Sequence, residues 1–290
     1  MTRKNSFPDE VCDWLAASGF GNLLWGEREK ISTIKVVADA KIVLDIVTVQ
    51  ISAPNVTLEE LNIYFQQTQS NRTSGVKSIV IWEDYWITKR DIVKSRILAM
   101  LGKSQKIPGR LTQVRRINKE LTNSFLEANH LNGAVSSRIR FGLFLPKRYY
   151  RILSEYFEYD QHTDELLVAV ATFSSPRVFQ SDTLPYKSYE LIRFASLLHT
   201  NVVGGLDKLL HAFIEEKSPG DIMTYADLDW SDGASYTKLG FHLTGKREPE
   251  TYRLEPATLK RTLAQPEHSD ADETLVYNMG SLKFVKRIGY

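Results

Sequence analysis

Cysteine is nearly missing: Cys12 stands alone in 290 residues. A lone thiol excludes an intramolecular disulfide framework and a zinc site built from several thiolates. It also fits a reducing compartment. Long hydrophobic runs are missing too, since no apolar stretch approaches the ~18 residues that cross a bilayer. The opening MTRKNSFPDE carries no apolar core of a secretory leader. These absences predict a soluble, cytoplasmic protein with no membrane partner. The six histidines are scattered, none precedes His130, and no metal-ligand spacing occurs, so no metal is expected. Charge of one sign is also lacking overall, with 37 Lys+Arg against 35 Asp+Glu for a net +2.

What is present is a globular composition, 42% hydrophobic and 25% charged, which excludes a wholly disordered chain. At roughly 150 residues per domain the length suits two domains. The even charge balance hides one uneven stretch. Between Trp86 and Lys119 lie ten basic residues, Lys89, Arg90, Lys94, Arg96, Lys103, Lys106, Arg110, Arg115, Arg116 and Lys119, opposed only by Asp91. Such a stretch reads either as a solvated helix face or as an anion or nucleic-acid surface, because phosphate attraction needs clustered Lys and Arg.

Periodicity gives the organisation. Asp9–Ala17 reads as a helix, Ile34–Ala38 and Lys41–Ile51 as strands, Leu58–Gln67 as a helix and Ile79–Trp82 as a short strand followed by a turn. Thr88 is expected to cap a helix running to Leu101, with Gly102 as its stop. A domain junction is expected in Gly102–Gln113. Beyond it, Asn118–Asn129 reads as a helix, Arg138–Leu145 and Glu165–Phe173 as adjacent strands around an aromatic insertion, and Ser188–Ser196 as a third strand. Gly204–Glu215 reads as a helix, Asp221–Ala226 as a strand and Ser231–Leu239 as a short helix. The stretch Glu255–Glu273 reads as a polar tail before a terminal hairpin around Gly280.

Two resemblances sit on these elements. Strands, a glycine-led helix, a strand and a short helix ending in Tyr236-Thr-Lys-Leu-Gly240-Phe241 resemble the GNAT acyltransferase superfamily in order. That resemblance implies a turn whose backbone N–H groups hold the pyrophosphate of acetyl-CoA or another acyl-CoA. The matching stretch is Asn201-Val-Val203-Gly204-Gly205-Leu206, with Asn201 and Gly204 in register and Leu206 where a second small residue belongs. It also implies that Tyr236 is the general acid for the leaving thiolate. Separately, SIVIWEDYWITKRDIVKSRILAMLGKSQKIPGR and the pieces after it, FLEANHLNG, RIRFGLFL, ELLVAVATFSSPR, YELIRFAS, VVGGLDKLLHAF and LVYNMGSLKFVKR, resemble in order the phage and mobile-element homing-endonuclease type. There a Vsr-like (PD-(D/E)XK-type) nuclease domain precedes a GNAT-related one. The nuclease signature is degenerate here: Asp45, with Asp39 upstream, is followed by no Glu-x-Lys, so an inert nuclease-like domain is expected.

The fold expected is therefore α/β: a small Vsr-like unit over 1–105, a GNAT-like domain with a mixed central sheet over 106–254, and a tail with a terminal hairpin over 255–290. Asp227, at a strand end where α/β sheets build sites, and His130, a base suited to neutral pH, are candidates to take a proton from an acceptor amine. Asn201, Val203, Gly204 and Gly205 are the candidate cofactor contacts. Lys89, Arg90, Lys94, Arg96, Arg110, Arg115 and Arg116 are the candidate nucleic-acid contacts. Arg193, inside an apolar strand, needs a partner such as Glu190 or Asp227. Arg177 is a lesser candidate for a phosphate. An acyltransferase-like protein acting on or at nucleic acid and a non-catalytic DNA-binding accessory protein both remain open, with an active endonuclease third.

Overall fold

A computed structural model describes residues 6–28, 30–39, 41–51, 56–180, 184–264 and 273–288. The first stretch runs α1 (Phe7–Ala17), β1 (Leu23–Arg28), β2 (Ile31–Ala38), β3 (Lys41–Val49), α2 (Leu58–Thr73), β4 (Lys77–Trp82) and α3 (Glu83–Thr88). There follow α4 (Arg90–Met100), β5 (Gln105–Pro108), a 3-10 turn (Gly109–Leu111), β6 (Gln113–Arg116), α5 (Lys119–Asn129), β7 (Ile139–Pro146), a 3-10 helix (Lys147–Ile152) and β8 (Glu165–Phe173). Next come β9 (Arg177–Phe179), β10 (Tyr186–Ser196), β11 (Thr200–Val203), α6 (Gly205–Lys217), β12 (Asp221–Asp227), α7 (Ala234–Lys238) and β13 (His242–Arg247). The last are β14 (Thr251–Leu254), β15 (Arg261–Leu263), β16 (Leu275–Tyr277) and β17 (Ser281–Arg287). No helix among the described residues is long and apolar enough to cross a membrane.

The chain forms two compact units, and neither is one continuous stretch. Unit 1 is Met1–Arg90 with Ala226–Ala234 and Gly245–Leu282, and unit 2 is Asp91–Tyr225 with Ser235–Thr244 and Lys283–Tyr290. The expected boundaries at 105/106 and 254/255 do not coincide with these units. The supposed junction is tied into unit 2, because β5 pairs in parallel with β11.

In unit 1, β1, β2 and β3 form an antiparallel meander and β4 joins β3 in parallel. Capping boxes start both long helices, Ser6 with Asp9 on α1 and Thr57 with Glu60 on α2, satisfying amides that the first turn leaves without partners. The core joins Ile31, Val47, Val49, Leu61, Phe65, Val80 and Trp82 to Leu228, Leu254, Val276 and Met279. The expected hairpin therefore supplies core through Val276 and Met279, as does Leu254 at the end of the expected GNAT-like stretch. β14, β15 and β16 make a three-stranded sheet in the order β15-β14-β16, while residues 265–272 and 289–290 of that expected tail lie outside the described residues. The terminal hairpin does not form: β16 pairs with β14, and β17 joins the large sheet. Gly280 explains the crossing. It sits at φ +80°, with the Arg247 carbonyl where a side chain would begin.

In unit 2 the large sheet runs β13-β17-β12-β10-β8-β7-β6, with β9 paired to β10. It is mixed, as expected: β10 is antiparallel to β8 and parallel to β12. Helix α6 lies on it through Leu209, Leu210 and Phe213, and Phe213 stacks on Phe173 at 3.9 Å. Helix α4 ends at Gly102 (φ +79°), where Lys103 N–H donates to Leu98 at 2.8 Å, the reach of a glycine-closed helix end. Its expected start at Thr88 is corrected. Thr88 ends α3, and its hydroxyl donates to the Asp84 carbonyl one turn back at 2.7 Å, a bond that competes with capping the next helix.

Candidate active site

The opening between β10 and β12 is the most specific feature of unit 2. The two parallel strands pair only at Ser188↔Asp221, Tyr189↔Ile222 and Glu190↔Met223. Beyond that rung β10 continues to Ser196 along β8, with a register shift between Leu191 and Arg193 that leaves Ile192 as an extra residue. A bulge of this kind bends its strand and raises its twist, and past Glu190↔Met223 the two strands run on without pairing. Thr224, the first β12 residue past the last rung, is 2% exposed and donates to the Leu191 carbonyl at 3.0 Å. The Tyr236 ring, from α7, packs on Phe241 and Phe284 at 5.6 and 5.8 Å. Burial first of all raises the Tyr236 hydroxyl above its ordinary value, against Thr224 and the Arg96 charge. It stays a neutral phenol at neutral pH.

His130 is in the same unit, but the structure argues against it as a base. Its Nδ1 accepts the Asn132 N–H at 3.1 Å, which leaves the ring proton on Nε2. Burial, then the charges of Arg193 and Arg96, push the imidazole down to about 3. An imidazole with its acceptor nitrogen occupied and so little proton affinity does not take a proton at neutral pH. Arg193 donates to the Ile192 carbonyl at 3.0 Å and to the Gly133 carbonyl at 3.4 Å.

The glycine turn needs two separate accounts. Gly204 has φ +73°, is exposed, and has nothing within 4 Å of a would-be Cβ. Helix α6 begins after it with no side-chain cap, so first-turn amides are left for solvent or an anion. Asp207 of that turn is engaged by His211 at 3.4 Å. Gly205 instead is buried, and a Cβ there would lie 2.8 Å from Val202 Cγ1 and 3.2 Å from Leu143 Cδ1. Its small size serves the protein's own packing. Asn201 and Val203 are exposed on β11, whose backbone pairs with Lys106 and Pro108.

Asp227 falls in unit 1. Its Oδ1 accepts the Asp229 N–H at 3.0 Å, and Asp229 Oδ1 in turn accepts the Met279 N–H at 2.7 Å. Burial, then Asp227, raises the Asp229 carboxyl. Asp227 thus belongs to a buried acid cluster with Arg72 and Arg261 in electrostatic reach of Asp229.

The basic stretch is divided between the units, Lys89 and Arg90 in one, Lys94, Arg96, Arg110, Arg115 and Arg116 in the other. Arg90 pairs with Glu10 at 3.0 Å and lies over the Trp86 ring. Arg115 pairs with Glu165 and covers Phe144, and Arg116 pairs with Glu216 at 3.1 Å and covers Phe141. Lys94 and Arg96 are half-buried, and Arg110 is exposed on its 3-10 turn. Three of the seven arginines and lysines proposed for phosphates already have carboxylate partners, which is the solvated-face reading of such a stretch.

The nuclease-like residues are likewise committed. Asp45 is 2% exposed, and its Oδ2 accepts from Asn71 at 2.8 Å and Ser78 at 3.1 Å. Among the described residues no three His, Cys, Asp or Glu side chains gather as a ligand group. Burial raises the Asp45 carboxyl, outweighing Ser78, Lys35 and Asn71. A carboxyl raised in the folded state favours the protonated form, so stability is lost as pH climbs from the unfolded value through the folded one. Asp45→Asn removes that dependence. Its stability relative to the unmodified protein is expected to grow between about pH 4 and pH 7 in urea titrations. A difference independent of pH would contradict a raised Asp45.

The sequence did not single out Thr224. Its signal was parity: in DIMTYAD the inward positions are Ile222, Thr224 and Ala226, and a hydroxyl on an apolar face asks for a partner.

No family model matches the chain, and no curated protein matches it. Among solved structures it is similar to a Bacillus subtilis acetyltransferase in complex with CoA, at 9% identity and a TM-score of 0.35 over 61% of this chain and 99% of that one. It is also similar to the ribosomal-protein-S18-alanine N-acetyltransferase of Escherichia coli, at 12% identity and a TM-score of 0.33 over 62% and 95%. A nourseothricin acetyltransferase gives 11% and 0.32 over 62% and 99%.

Proposed function

We propose that unit 2 is an N-acyltransferase domain that uses an acyl-CoA. The observation that supports this reading is the end of the β10–β12 ladder at Glu190↔Met223, past which both strands run on, with the neutral Tyr236 phenol in the same unit. The protein's residues suit the cofactor at the glycine turn. Gly204 leaves open space beside an uncapped helix start, where backbone N–H groups and the helix dipole favour a phosphate. When bound, the cofactor supplies an acyl group activated as a thioester. Gly204 and the start of α6 would hold its phosphates. The Tyr236 phenol would supply the proton that a leaving thiolate needs. The His130 imidazole stays neutral and positions its neighbours through Nδ1. Nucleic acid is left out of this reading, because Arg90, Arg115 and Arg116 are spent on carboxylates.

Calorimetry with acetyl-CoA tests the proposal, and Gly204→Val is the variant that discriminates. A β-branched residue at φ +73° is strained by about 1–2 kcal/mol and fills the open side of the turn. Binding is expected to weaken by about tenfold or more, while circular dichroism still shows a folded protein. Gly205→Val does not discriminate, since it collides with Val202 and Leu143 before any ligand arrives. Absence of binding by the unmodified protein would overturn the reading.

A further inference from the structure

We propose that a cleft in unit 1 binds a short extended peptide through its backbone, with one aliphatic side chain of that peptide seated on the floor. The cleft has a volume of about 740 Å³, and every residue lining it belongs to unit 1. One wall is helix α2, where Asn62, Gln66 and Gln69 follow one another about a turn apart on a single stripe. The floor is apolar: Phe65, Leu228 and Met279 are buried and Leu282 is half-buried. Lys246 and Glu248 complete the lining and pair with each other at 3.4 Å. Backbone bonds fix the floor before any ligand arrives. Leu228 N–H donates to the Gly280 carbonyl at 3.1 Å, and Met279 N–H donates to Asp229 at 2.7 Å. Asn278 Oδ1 accepts the N–H groups of Glu250 and Gly280 at 2.8 and 2.9 Å.

The donor set names the occupant. Among the described residues no hydrogen bond reaches the carboxamides of Asn62, Gln66 or Gln69. Each carboxamide both donates and accepts, as every peptide unit does. The stripe from Asn62 to Gln69 rises about 10 Å along the helix, which matches about three residues of extended chain. Successive peptide groups can therefore each meet one carboxamide, and the side chain turned the other way meets Phe65, Leu228 and Met279. A helix in the cleft would leave the carboxamides without partners, because its own backbone groups are already bonded. A hydrocarbon chain would strip them of water and return nothing. Nucleic acid asks for unopposed cations, and the cation in this lining, Lys246, faces Glu248. The lining carries no net charge, which suits a neutral peptide and penalises a carboxylate set on the apolar floor.

The test uses the full chain and capped peptides of the form acetyl-Ser-Ala-X-Ala-Ser-amide, with Val, Leu or Met at X. Binding is read from the side-chain NH₂ signals of Asn62, Gln66 and Gln69 in heteronuclear NMR of the labelled protein. These signals are expected to shift saturably, at millimolar peptide, with at least one of the three. Two changes to the best peptide then discriminate. Methylation of its backbone nitrogens removes the N–H donors, and Asp at X places a charge on the floor. Each is expected to weaken binding by about tenfold or more. On the protein, Gln66→Met with Gln69→Met removes two carboxamides and keeps good helix formers. It is expected to weaken binding by about tenfold with an unchanged circular dichroism spectrum. If that pair disturbs folding, Gln66→Ala replaces it, with about threefold or more expected. The proposal is overturned by the absence of a saturable shift with all three peptides, or by a methylated peptide or a glutamine variant that binds as well. Tighter binding of a single-stranded oligonucleotide or of laurate, titrated in the same way, also overturns it. Acetyl-CoA takes no part in these titrations, so their outcome is separate from that of unit 2.

Discussion

Arg261→Met is expected to destabilise unit 1 by about 3–5 kcal/mol. The Arg261 guanidinium meets Asp84 as a fork, Nε to Oδ2 at 2.7 Å and Nη2 to Oδ1 at 2.9 Å. Asp84 is 1% exposed. The plane of the guanidinium also lies over Tyr85 at 4.0 Å and near Trp82 at 5.4 Å. Methionine replaces much of the volume and none of the charge. It strands the Asp84 carboxylate in a site that water does not reach, and an unpaired buried charge is what makes such changes severe. The pair itself need not be strongly stabilising, so Arg261→Met combined with Asp84→Leu is expected to recover much of the loss. The readout is favourable, because all five tryptophans, Trp14, Trp25, Trp82, Trp86 and Trp230, fall in unit 1. Fluorescence in a urea titration therefore follows that unit selectively. A single variant within about 1 kcal/mol of the unmodified protein would refute the account.

Tyr236→Phe is expected to lower turnover by about 100-fold or more, the lower range for removal of a positioned general acid. Affinity for acetyl-CoA should change little, because the hydroxyl acts on the leaving sulfur rather than on the bound ground state. The ring keeps its packing on Phe241 and Phe284, so the stability is expected to change by no more than about 1 kcal/mol. Burial holds Tyr236 protonated, and its contribution to the rate should persist through neutral pH and fade only above about pH 10. Thiol release measured with a panel of primary amines checks both statements. A phenylalanine variant that turns over at the original rate removes Tyr236 from the chemistry.

Much of the fold was legible where burial period and punctuation agree. Glu165–Phe173 reads as a strand from its run of Val, Ala and Leu, and the structure gives it the same bounds. Gly102 and Gly204 mark one helix stop and one helix start because both need positive φ. What stayed hidden is pairing over long separations. Arg261 sits in a polar stretch, and nothing near it in the chain announces a carboxylate 177 residues away. The same holds for Val276 and Leu254, read as part of a hairpin and as the end of the second domain, because their core partners, Val49 and Trp82 among them, belong to the first ninety residues. In the proposed site, Tyr236 and Gly204 were singled out through a resemblance in the order of elements, and both now rest on the proposal. Asp227 misled because a strand end carries no label for the unit it enters. Gly205 misled because a tight glycine looks the same in sequence whether a ligand or a valine side chain fills the space.

The interleaving of the two units also sets an order of events during synthesis. The core around residues 1–90 lacks Leu228, Leu254, Val276 and Met279 until the segment that carries them has been made. The four-stranded sheet and α2 can form early, but the part of the core that these four residues fill waits for the length of unit 2. Translation adds about 5–20 residues per second, so that wait lasts on the order of ten seconds or more. An apolar core left unfilled for so long is a target for chaperones and for self-association. Val276, on β16, is among the last residues made of a core whose other members include Ile31, Val49 and Trp82.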